Sequence, residues 1–296
     1  LEIDETGCYA TTTQELIVHP LPEIIVPTPL EECDDDYDGI VSFFDLSQKN
    51  EEILNGQTGI SVSYYETLEN AESGENPIEG LYTNIEVDTQ TLYVRLEIDE
   101  TGCYATTTQE LIVNPIPTVL VGPAYEVCDD DYDGIGSYDL STLDETLLDG
   151  QTGVSISYYE SQEDADNATN VLDVNYQNTV PDNQTLYVRL EIDETGCYAT
   201  TTQELIVHPL PEIIVPTPLE ECDDDYDGIV SFFDLSQKNE EILNGQTGIS
   251  VSYYETLENA ESGENPIEGL YTNIEVDTQT LYVRLEIDET GCYATT

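Results

Sequence analysis

The stretch TLYVRLEID, residues Thr91–Asp99, alternates apolar and polar side chains with a period of two. Aliphatic residues stand at every second position from Leu92 onward, which is the pattern of a half-buried β-strand. The turn sequence DETG follows, and CYATTTQELIV, residues Cys103–Val113, returns as a partner strand. The sequence therefore predicts an antiparallel hairpin.

The residues before this hairpin predict more strands and little helix. GISVSYYET, residues Gly59–Thr67, is another alternating segment. Only DLSQKNEEIL, residues Asp45–Leu54, has a helical pattern, with an aspartate cap at its start and Asn55-Gly56 after its end. Several short strands within about 95 residues predict an all-β fold, an antiparallel β-sandwich of immunoglobulin-like size.

The chain repeats itself. The motif CDDDYDGI begins at Cys33, Cys128 and Cys222, which are 95 and 94 residues apart. A shift of 189 residues superposes Leu1–Thr107 on Leu190–Thr296 without a mismatch, whereas the middle copy differs at many positions. A period of this length equals one small domain, so we expect a linear tandem array of sandwich domains.

Proline-rich stretches mark the expected joints between domains. They are HPLPEIIVPTP at residues 19–29 and 208–218 and NPIPTVLVGP at residues 114–123. Prolines fix the backbone dihedral and remove hydrogen-bond donors, so these joints are expected to be extended and stiff. The predicted divisions are the last hairpin of a preceding repeat at 1–21 and immunoglobulin-like repeats at 22–117, 118–211 and 212–296. Because both ends fall inside a repeat, we expect the sequence to be a window from a longer polypeptide.

The charge of the chain excludes several classes of partner. Its net charge is −59, and it contains only five Lys or Arg residues. Nucleic-acid binding through phosphates requires a basic surface, and anionic membranes also repel such a chain. No apolar run approaches the roughly 20 residues that span a bilayer, so we expect no membrane insertion in this segment.

The acidic motif predicts a calcium loop. In DDDYDG, alternate aspartates precede a glycine, as in the first half of loops that direct carboxylates into one concavity around Ca²⁺. The twelfth position holds Asp45 in the first copy but Leu140 in the middle copy, so the expected loop is not an EF-hand. The predicted ligands are Asp34, Asp36, Asp38, Asp129, Asp131, Asp133, Asp223, Asp225 and Asp227. The alternative is a solvated acidic turn that keeps the protein soluble.

Crowding itself favours a cation at this motif. Two like charges about 4 Å apart cost about 1 kcal/mol even in water. A turn that concentrates several carboxylates thus gains from a bound divalent ion.

The cysteines recur with the repeat and allow two disulfide patterns. Pairing within each repeat joins Cys33 to Cys103, Cys128 to Cys197 and Cys222 to Cys292. Pairing across each joint joins Cys8 to Cys33, Cys103 to Cys128 and Cys197 to Cys222. The last strand of a repeat must run toward the next domain, so we expect Cys103, at its start, to lie at the upstream end of its domain. Cys33, soon after the first linker, is expected there as well. Cys128 would then lie about 35 Å away, beyond the roughly 6 Å reach of a disulfide. We therefore predict the first pattern, in an oxidised extracellular chain. Free buried thiols are the alternative.

Enzymatic activity is not expected. No G-x-S-x-G, P-loop or H-E-x-x-H sequence occurs. His19 and His208 occupy equivalent positions, and the middle copy has Asn114 there, so a histidine base is absent from alternate repeats. The carboxylates recur with the repeat instead of converging in one cleft.

Three segments carry a family resemblance: CDDDYDGIVSFFDL, LNGQTGISVSYYET and TLYVRLEIDETGCYATTTQELIVHPLP. Together they resemble the repeats of the very large surface proteins of flavobacteria and related Bacteroidetes. Those proteins leave the cell by the type IX secretion system and include the gliding-motility adhesins. The resemblance implies an extracellular filament or stalk at the cell surface.

Two functions are compatible with this sequence. The first is the shaft of a filament for adhesion or gliding motility. Its expected partners are a surface polysaccharide or another adhesion target, the neighbouring repeats of the same chain and, through lateral self-association, other copies of the chain. The second is a purely structural matrix fibre or a stalk that carries a separate enzymatic or binding domain. The full-length sequence discriminates them, because a terminal hydrolase domain favours the stalk.

Overall fold

Residues 2–41, 43–223 and 225–296 are described by the computed structural model, with the backbone alone for residues 2 and 3. The chain divides into two units. The first contains the first repeat through Thr118 together with Glu191–Ala199, and the second contains Val119–Leu190 and Thr200–Thr296. The hairpin turn of the second repeat thus belongs to the same unit as the first repeat.

Strands dominate every repeat, as the alternating patterns predict. In chain order they are β1 Glu2–Ile3, β2 Cys8–Tyr9, β3 Leu30–Cys33, β4 Ile60–Tyr65, β5 Thr89–Ile98, β6 Tyr104–Asn114, β7 Tyr125–Cys128, β8 Ser137–Asp139, β9 Val154–Tyr159, β10 Asn175–Gln177, β11 Asn183–Ile192, β12 Tyr198–His208, β13 Ile249–Tyr254, β14 Tyr282–Ile287 and β15 Tyr293–Thr295.

The predicted hairpin is confirmed in the first repeat. β5 pairs with β6 in antiparallel register from Thr89↔Ile112 to Glu97↔Tyr104. Gly102 closes the turn with a left-handed backbone (φ 68°), and its N–H donates to the carbonyl of Ile98 at 2.8 Å. The alternate side chains of β5 and β6 are buried, as the period of two requires. Their aliphatic members form the sheet side of the core, against which Phe44 and Ile53, among other residues, pack from outside these two strands.

The main sheets of the first and second repeats each contain one parallel pair, which the sequence did not predict. In the first repeat the strand order is β3-β6-β5-β4, and in the second it is β7-β12-β11-β9. β3 runs parallel to β6 from Leu30↔Leu111 to Cys33↔Asn114, and β7 runs parallel to β12 in the same way. The expectation of a purely antiparallel sandwich was therefore wrong at this pair.

A smaller layer covers the main sheet. In the second repeat it is a two-stranded antiparallel pair, β8 with β10. Among the described residues of the first and third repeats, the corresponding contacts are the bridges Phe44↔Tyr82 and Phe233↔Tyr271. These two layers around one core confirm the predicted class, tandem immunoglobulin-like β-sandwich domains.

Short helices connect the layers. Three 3₁₀ turns, Leu46–Lys49, Leu140–Leu143 and Leu235–Lys238, run directly into α-helices. The α-helices are α1 Asn50–Leu54, α2 Leu68–Ser73, α3 Asp144–Leu148, α4 Gln162–Asn167, α5 Asn239–Leu243 and α6 Leu257–Ser262. The predicted helix is confirmed, with an Asp45 side chain that accepts from the N–H of Ser47 and a left-handed Asn55 at its end. Within the described ranges, every helix is too short and too polar to cross a bilayer.

The proline-rich stretch does not form a free joint, because it lies along the repeat that follows it. Pro22 and Pro27 are buried. The side-chain amide of Gln57 accepts from the N–H of Glu23 at 2.9 Å and donates to the Glu23 carbonyl at 3.0 Å. The Thr28 carbonyl accepts from the fully buried side chain of Gln109 at 3.1 Å. The stretch thus carries the chain along the length of the domain before β3 begins.

The five basic residues all serve their own repeats. Arg95 donates to the carbonyls of Ala71 and Glu72 at the end of α2, and its guanidinium lies 3.5 Å from the ring centroid of Tyr104. Arg189 and Arg284 make the same carbonyl contacts, and Lys49 and Lys238 each pair with a glutamate three residues on. The arginines thus satisfy carbonyls at the ends of α2, α4 and α6, which a helix end otherwise leaves without partners.

A tyrosine in the core of the second repeat has an unsatisfied hydroxyl. Tyr138 is 3% exposed, and its buried Oη has no hydrogen-bond partner among the described residues. Burial raises the pKa of Tyr138 to about 12. The equivalent positions hold Phe44 and Phe233. Because a buried unpaired hydroxyl retains its desolvation cost, we expect Tyr138→Phe to stabilise the second repeat by about 1–2 kcal/mol.

The matched control is Tyr158→Phe in the same core. The hydroxyl of Tyr158 donates to the carbonyl of Leu140 at 3.1 Å and contacts Asp144 at 2.8 Å. Its loss is expected to cost about 1 kcal/mol. Denaturant midpoints of the two variants should move in opposite directions; a destabilised Tyr138→Phe would mean that water satisfies the hydroxyl.

Candidate functional site

The acidic loop starts where the last strand of its repeat finishes. The N–H of Asp34 donates to the carbonyl of Asn114 at 2.8 Å, and the N–H of Asp129 donates to that of His208 at 2.8 Å. Because β3 is parallel to β6, its C-terminal end and the loop lie at the end of the domain where β6 finishes, here named the distal end. The prediction that Cys33 lies at the opposite end, together with Cys103, was therefore wrong.

The first aspartate of each loop organises the turn. Asp34 accepts from the N–H groups of Asp36 and Tyr37, both at 3.1 Å, and from that of Gly39 at 2.9 Å. Asp129 and Asp223 accept the same three bonds in their loops. Asp34 and Asp129 are buried, at 9% and 7% exposure. The first aspartate therefore has a structural role whether or not an ion is bound.

The glycine of the loop is required by its surroundings. Gly39 has φ +74°, and a Cβ at this position would lie 2.6 Å from both the Asp88 carboxylate and the Val87 side chain. Gly134 and Gly228 are equally enclosed. The buried amide of Asn84 fixes the loop from the other side, because it donates to the Gly39 carbonyl at 2.9 Å and accepts from the Val41 N–H at 2.7 Å.

Carboxylate oxygens converge in each loop. Asp34, Asp36 and Asp38 each offer an oxygen within 4.8 Å of the others, and Asp223, Asp225 and Asp227 do the same. In the middle repeat the group is Asp129, Asp130 and Asp131, so the predicted ligand Asp133 is replaced by Asp130. Loops of this kind supply the oxygen donors that Ca²⁺ prefers, although three carboxylates provide fewer than its six to eight ligands.

The loop changes the pKa values of two of its carboxylates in opposite directions. Burial of Asp34 opposes ionisation, but the N–H groups of Asp36, Gly39 and Tyr37 outweigh it and hold the pKa of Asp34 below 3.8. Partial desolvation and the charge of Asp38 raise the pKa of Asp36. Asp129 and Asp131 follow the same division. Repulsion between carboxylates is therefore least relieved at Asp36 and at Asp131.

Two disulfides join consecutive repeats. Cys33 is bonded to Cys197 and Cys128 to Cys292, each with Cα atoms 5.5 Å apart and a sequence separation of 164. The predicted pairing within each repeat was therefore wrong: Cys33 is not bonded to Cys103, nor Cys128 to Cys197, and Cys222 does not bond Cys292. The alternative pairing across each joint is not found either. Cys103 and Cys222 are free thiols, as is Cys8.

The parallel first strand explains this pairing. Cys33, opposite Asn114, ends β3 at the distal end, whereas Cys103 precedes β6 at the opposite end. One strand of 11 residues, about 36 Å at 3.3 Å per residue, separates the two positions, far beyond disulfide reach. The partner is instead the cysteine of the DETGC turn one repeat later. Cys197 and Cys292 are almost fully buried, at 1% and 0% exposure.

Tyrosine in the acidic motif connects the loop to the following linker, a role that the sequence analysis missed. The hydroxyl of Tyr37 donates to the Pro117 carbonyl at 3.0 Å, and that of Tyr132 donates to the Pro211 carbonyl at 3.1 Å. Both tyrosines have left-handed backbones, with φ of 70° and 71°. Such a conformation is uncommon for a bulky residue, so the surrounding loop must stabilise it. A tyrosine among aspartates in all three motifs was the available signal.

The position after the last strand also contacts the first strand. Asn114 donates to Glu31 at 2.9 Å, and His208 Nε2 lies 2.8 Å from Glu126. Histidine and asparagine thus make the same contact in alternate repeats, as expected for a structural position. The distal end of a repeat therefore combines an acidic loop, a disulfide and a docked linker.

Comparison with protein families gives a match that covers most of the chain. The sequence profile of the Flavobacterium inter-domain disulphide bond domain matches residues 29–117, 124–211 and 218–296. Each match lies within one of the three repeats, and the description of that domain agrees with the bonds between consecutive repeats. No curated protein sequence matches the chain.

Solved structures with similar folds include immunoglobulin-domain arrays. A three-domain titin structure is 10% identical, with 81% of this chain and 86% of that chain covered and a TM-score of 0.27. Sidekick-1 immunoglobulin domains 1–4 are 10% identical, with coverages of 92% and 73% and a TM-score of 0.21. A SusE-like surface located polysaccharide binding protein of Bacteroides thetaiotaomicron is 10% identical, with coverages of 60% and 33% and a TM-score of 0.24. Similarities at this level carry no functional conclusion.

Proposed function

Because the chain belongs to the Flavobacterium inter-domain disulphide bond domain family, we propose that it forms the repetitive shaft of an extracellular filament at the cell surface. The observation that carries the proposal is the bond from each repeat to the next. Such bonds connect neighbouring domains covalently at a second point besides the linker, which restricts bending. Disulfides persist in oxidising, extracellular environments.

The shaft acts in adhesion or gliding motility. This part of the proposal rests on the resemblance to type IX-secreted surface proteins and on the absence of any recurrent catalytic constellation in the sequence. The chain itself is not an enzyme in this proposal, and its target is a surface polysaccharide or another adhesion partner. A stalk for a separate enzymatic domain is the alternative.

Deletion of the locus tests the proposal directly. Attachment to glass or gliding should be impaired, whereas secreted hydrolytic activities should be unchanged. Complementation with a Cys33→Ser, Cys128→Ser chain should restore surface exposure but give only partial attachment, because the shaft bends at its joints. If the deletion strain loses a specific hydrolytic activity, the chain is a stalk for an enzymatic domain and not an adhesive shaft.

Calcium is the second part of the proposed function. The converging carboxylates stand beside the disulfide and the docked tyrosine, so an ion in the loop would neutralise repulsion at the joint. Extracellular calcium modules commonly bind at about 10⁻⁴ to 10⁻³ M. Occupancy at 100 times the dissociation constant would stabilise a site by about 2.7 kcal/mol.

Millimolar calcium is therefore expected to raise the melting temperature. The test variant is Asp36→Asn, Asp131→Asn, Asp225→Asn, which removes charge while Asn retains an acceptor oxygen and the first aspartates stay intact. The variant should lose the response to calcium when melting is compared in chelator and in millimolar Ca²⁺.

The matched control removes the same number of charges from exposed sites outside the loops. Glu69→Gln, Glu163→Gln and Glu258→Gln lie in the first turns of α2, α4 and α6. This control should respond to calcium as the wild type does. If calcium does not raise the melting temperature of the wild type, or raises that of both variants equally, the acidic loop is a solvated turn that binds no calcium.

A further inference from the structure

The two disulfides overlap along the chain. Each spans 164 residues, whereas the motif cysteines are only 95 and 94 residues apart. The second bond therefore begins at Cys128, before the first one closes at Cys197. The segment 128–197 belongs to both covalent loops, and its two ends differ by 69 positions.

We propose that these overlapping bonds form a covalent bypass that limits how far the array can extend under tension. Between Cys33 and Cys292 the backbone contains 259 steps. A shorter covalent route crosses from Cys33 to Cys197, follows the chain backward to Cys128 and crosses to Cys292. That route contains 69 residues, so complete unfolding cannot separate the outer cysteines by more than about 250 Å at 3.6 Å per residue.

In the native fold the two ends of this route lie at opposite ends of one strand, β12. Cys197 immediately precedes β12, and Cys128 pairs with His208 at its other end. In the native fold the two ends of the bypass are therefore about 36 Å apart, the length of 11 strand residues at 3.3 Å each. Tension that enters at Cys197 and leaves at Cys128 pulls β12 and β7 in opposite directions along their common axis.

All the backbone hydrogen bonds between β7 and β12 resist a load in this direction together. β7 and β12 are parallel and paired from Leu205↔Tyr125 to His208↔Cys128. Strands displaced along their axis must break these hydrogen bonds together, whereas strands peeled apart break them one at a time. The bypass thus loads the second repeat in shear, and the 95-residue segments on either side of the shared segment remain slack.

The inference goes beyond the proposed function, because it depends on disulfide connectivity and not on what the filament contacts. A chain without any adhesive role would show the same limit. Conversely, a failed attachment assay would leave the mechanical limit untouched, so the two proposals fail separately.

Single-molecule force extension of the whole chain tests the bypass, with cysteine-free folded domains fused to both ends as handles. Full extension of the unreduced wild type should give at most about 250 Å between residues 33 and 292. After reduction the same interval should reach about 930 Å, from 259 residues at 3.6 Å each. The residues outside this interval add the same length in both conditions.

Cysteine variants make the test specific to the overlap. Cys128→Ser leaves the route from Cys33 through Cys197 to residue 292, which has 95 residues and should extend to about 340 Å. Cys103→Ser is the matched control: it removes a free thiol and should match the wild type. The proposal is overturned if the unreduced wild type extends beyond about 340 Å, or if Cys128→Ser and wild type extend equally.

Discussion

Replacement of Cys128 with serine is expected to lower the free energy of unfolding of the second unit by up to about 5 kcal/mol. The bond closes a loop of 164 residues, and the chain-entropy model assigns about that value to a loop of this length. The bond also joins the second repeat to the third. We therefore expect one cooperative transition in the wild type to separate into two in the variant.

Differential scanning calorimetry under non-reducing conditions measures both effects. The control is Cys222→Ser, which changes an exposed free thiol and should leave the transitions in place. Reduced wild type should resemble Cys128→Ser more closely than untreated wild type does. If the variant melts like the oxidised wild type, the disulfide contributes no coupling between repeats.

Asp129→Ala is expected to destabilise the second repeat by about 3 kcal/mol or more. The carboxylate is 7% exposed and accepts from the N–H groups of Asp131, Tyr132 and Gly134 at 3.0, 2.9 and 2.8 Å. Hydrogen bonds to a charged group contribute about 1.5–3 kcal/mol each, and these bonds are only partly replaced by water. The loop should lose its turn and, with it, the contact of Tyr132 with the next linker.

The same carboxylate predicts a pH dependence. Burial of Asp129 opposes its ionisation, but its backbone donors outweigh burial and hold its pKa below 3.8 in the fold. Because the folded pKa is the lower one, the contribution is complete above about pH 4–5 and disappears as the pH falls through the folded pKa. Wild type should therefore lose stability below pH 3.8 more steeply than Asp129→Ala does.

Asp130→Ala is the appropriate control, since this exposed neighbour loses the same charge. It should change stability by less than about 0.5 kcal/mol. Denaturant titrations at pH 7 and pH 3 separate the two variants. An Asp129→Ala protein as stable as Asp130→Ala would show that the three N–H groups do not depend on the carboxylate.

The sequence alone was sufficient for the local elements. The alternation in Thr91–Asp99 predicted β5, and the cap at Asp45 predicted the helical segment, because these signals act within a few residues. It also predicted a tandem all-β array, since an exact repeat and a strand pattern need no tertiary information. Two of the three predicted aspartate sets were found together for the same reason, as alternate residues of one tight loop.

What the sequence by itself determined is therefore a set of acidic β-sandwich repeats with cysteines at regular spacing. Only the tertiary structure decided which cysteines meet. Residues near Pro22 and Pro27 pack along the domain, so β3 enters the sheet parallel to β6 and carries Cys33 to the distal end. Sequence spacing does not reveal whether a proline-rich segment spans a joint or lies along a domain, because side-chain contacts such as Gln109 with Thr28 decide it. The disulfides join consecutive repeats because that packing reverses the end at which one cysteine lies.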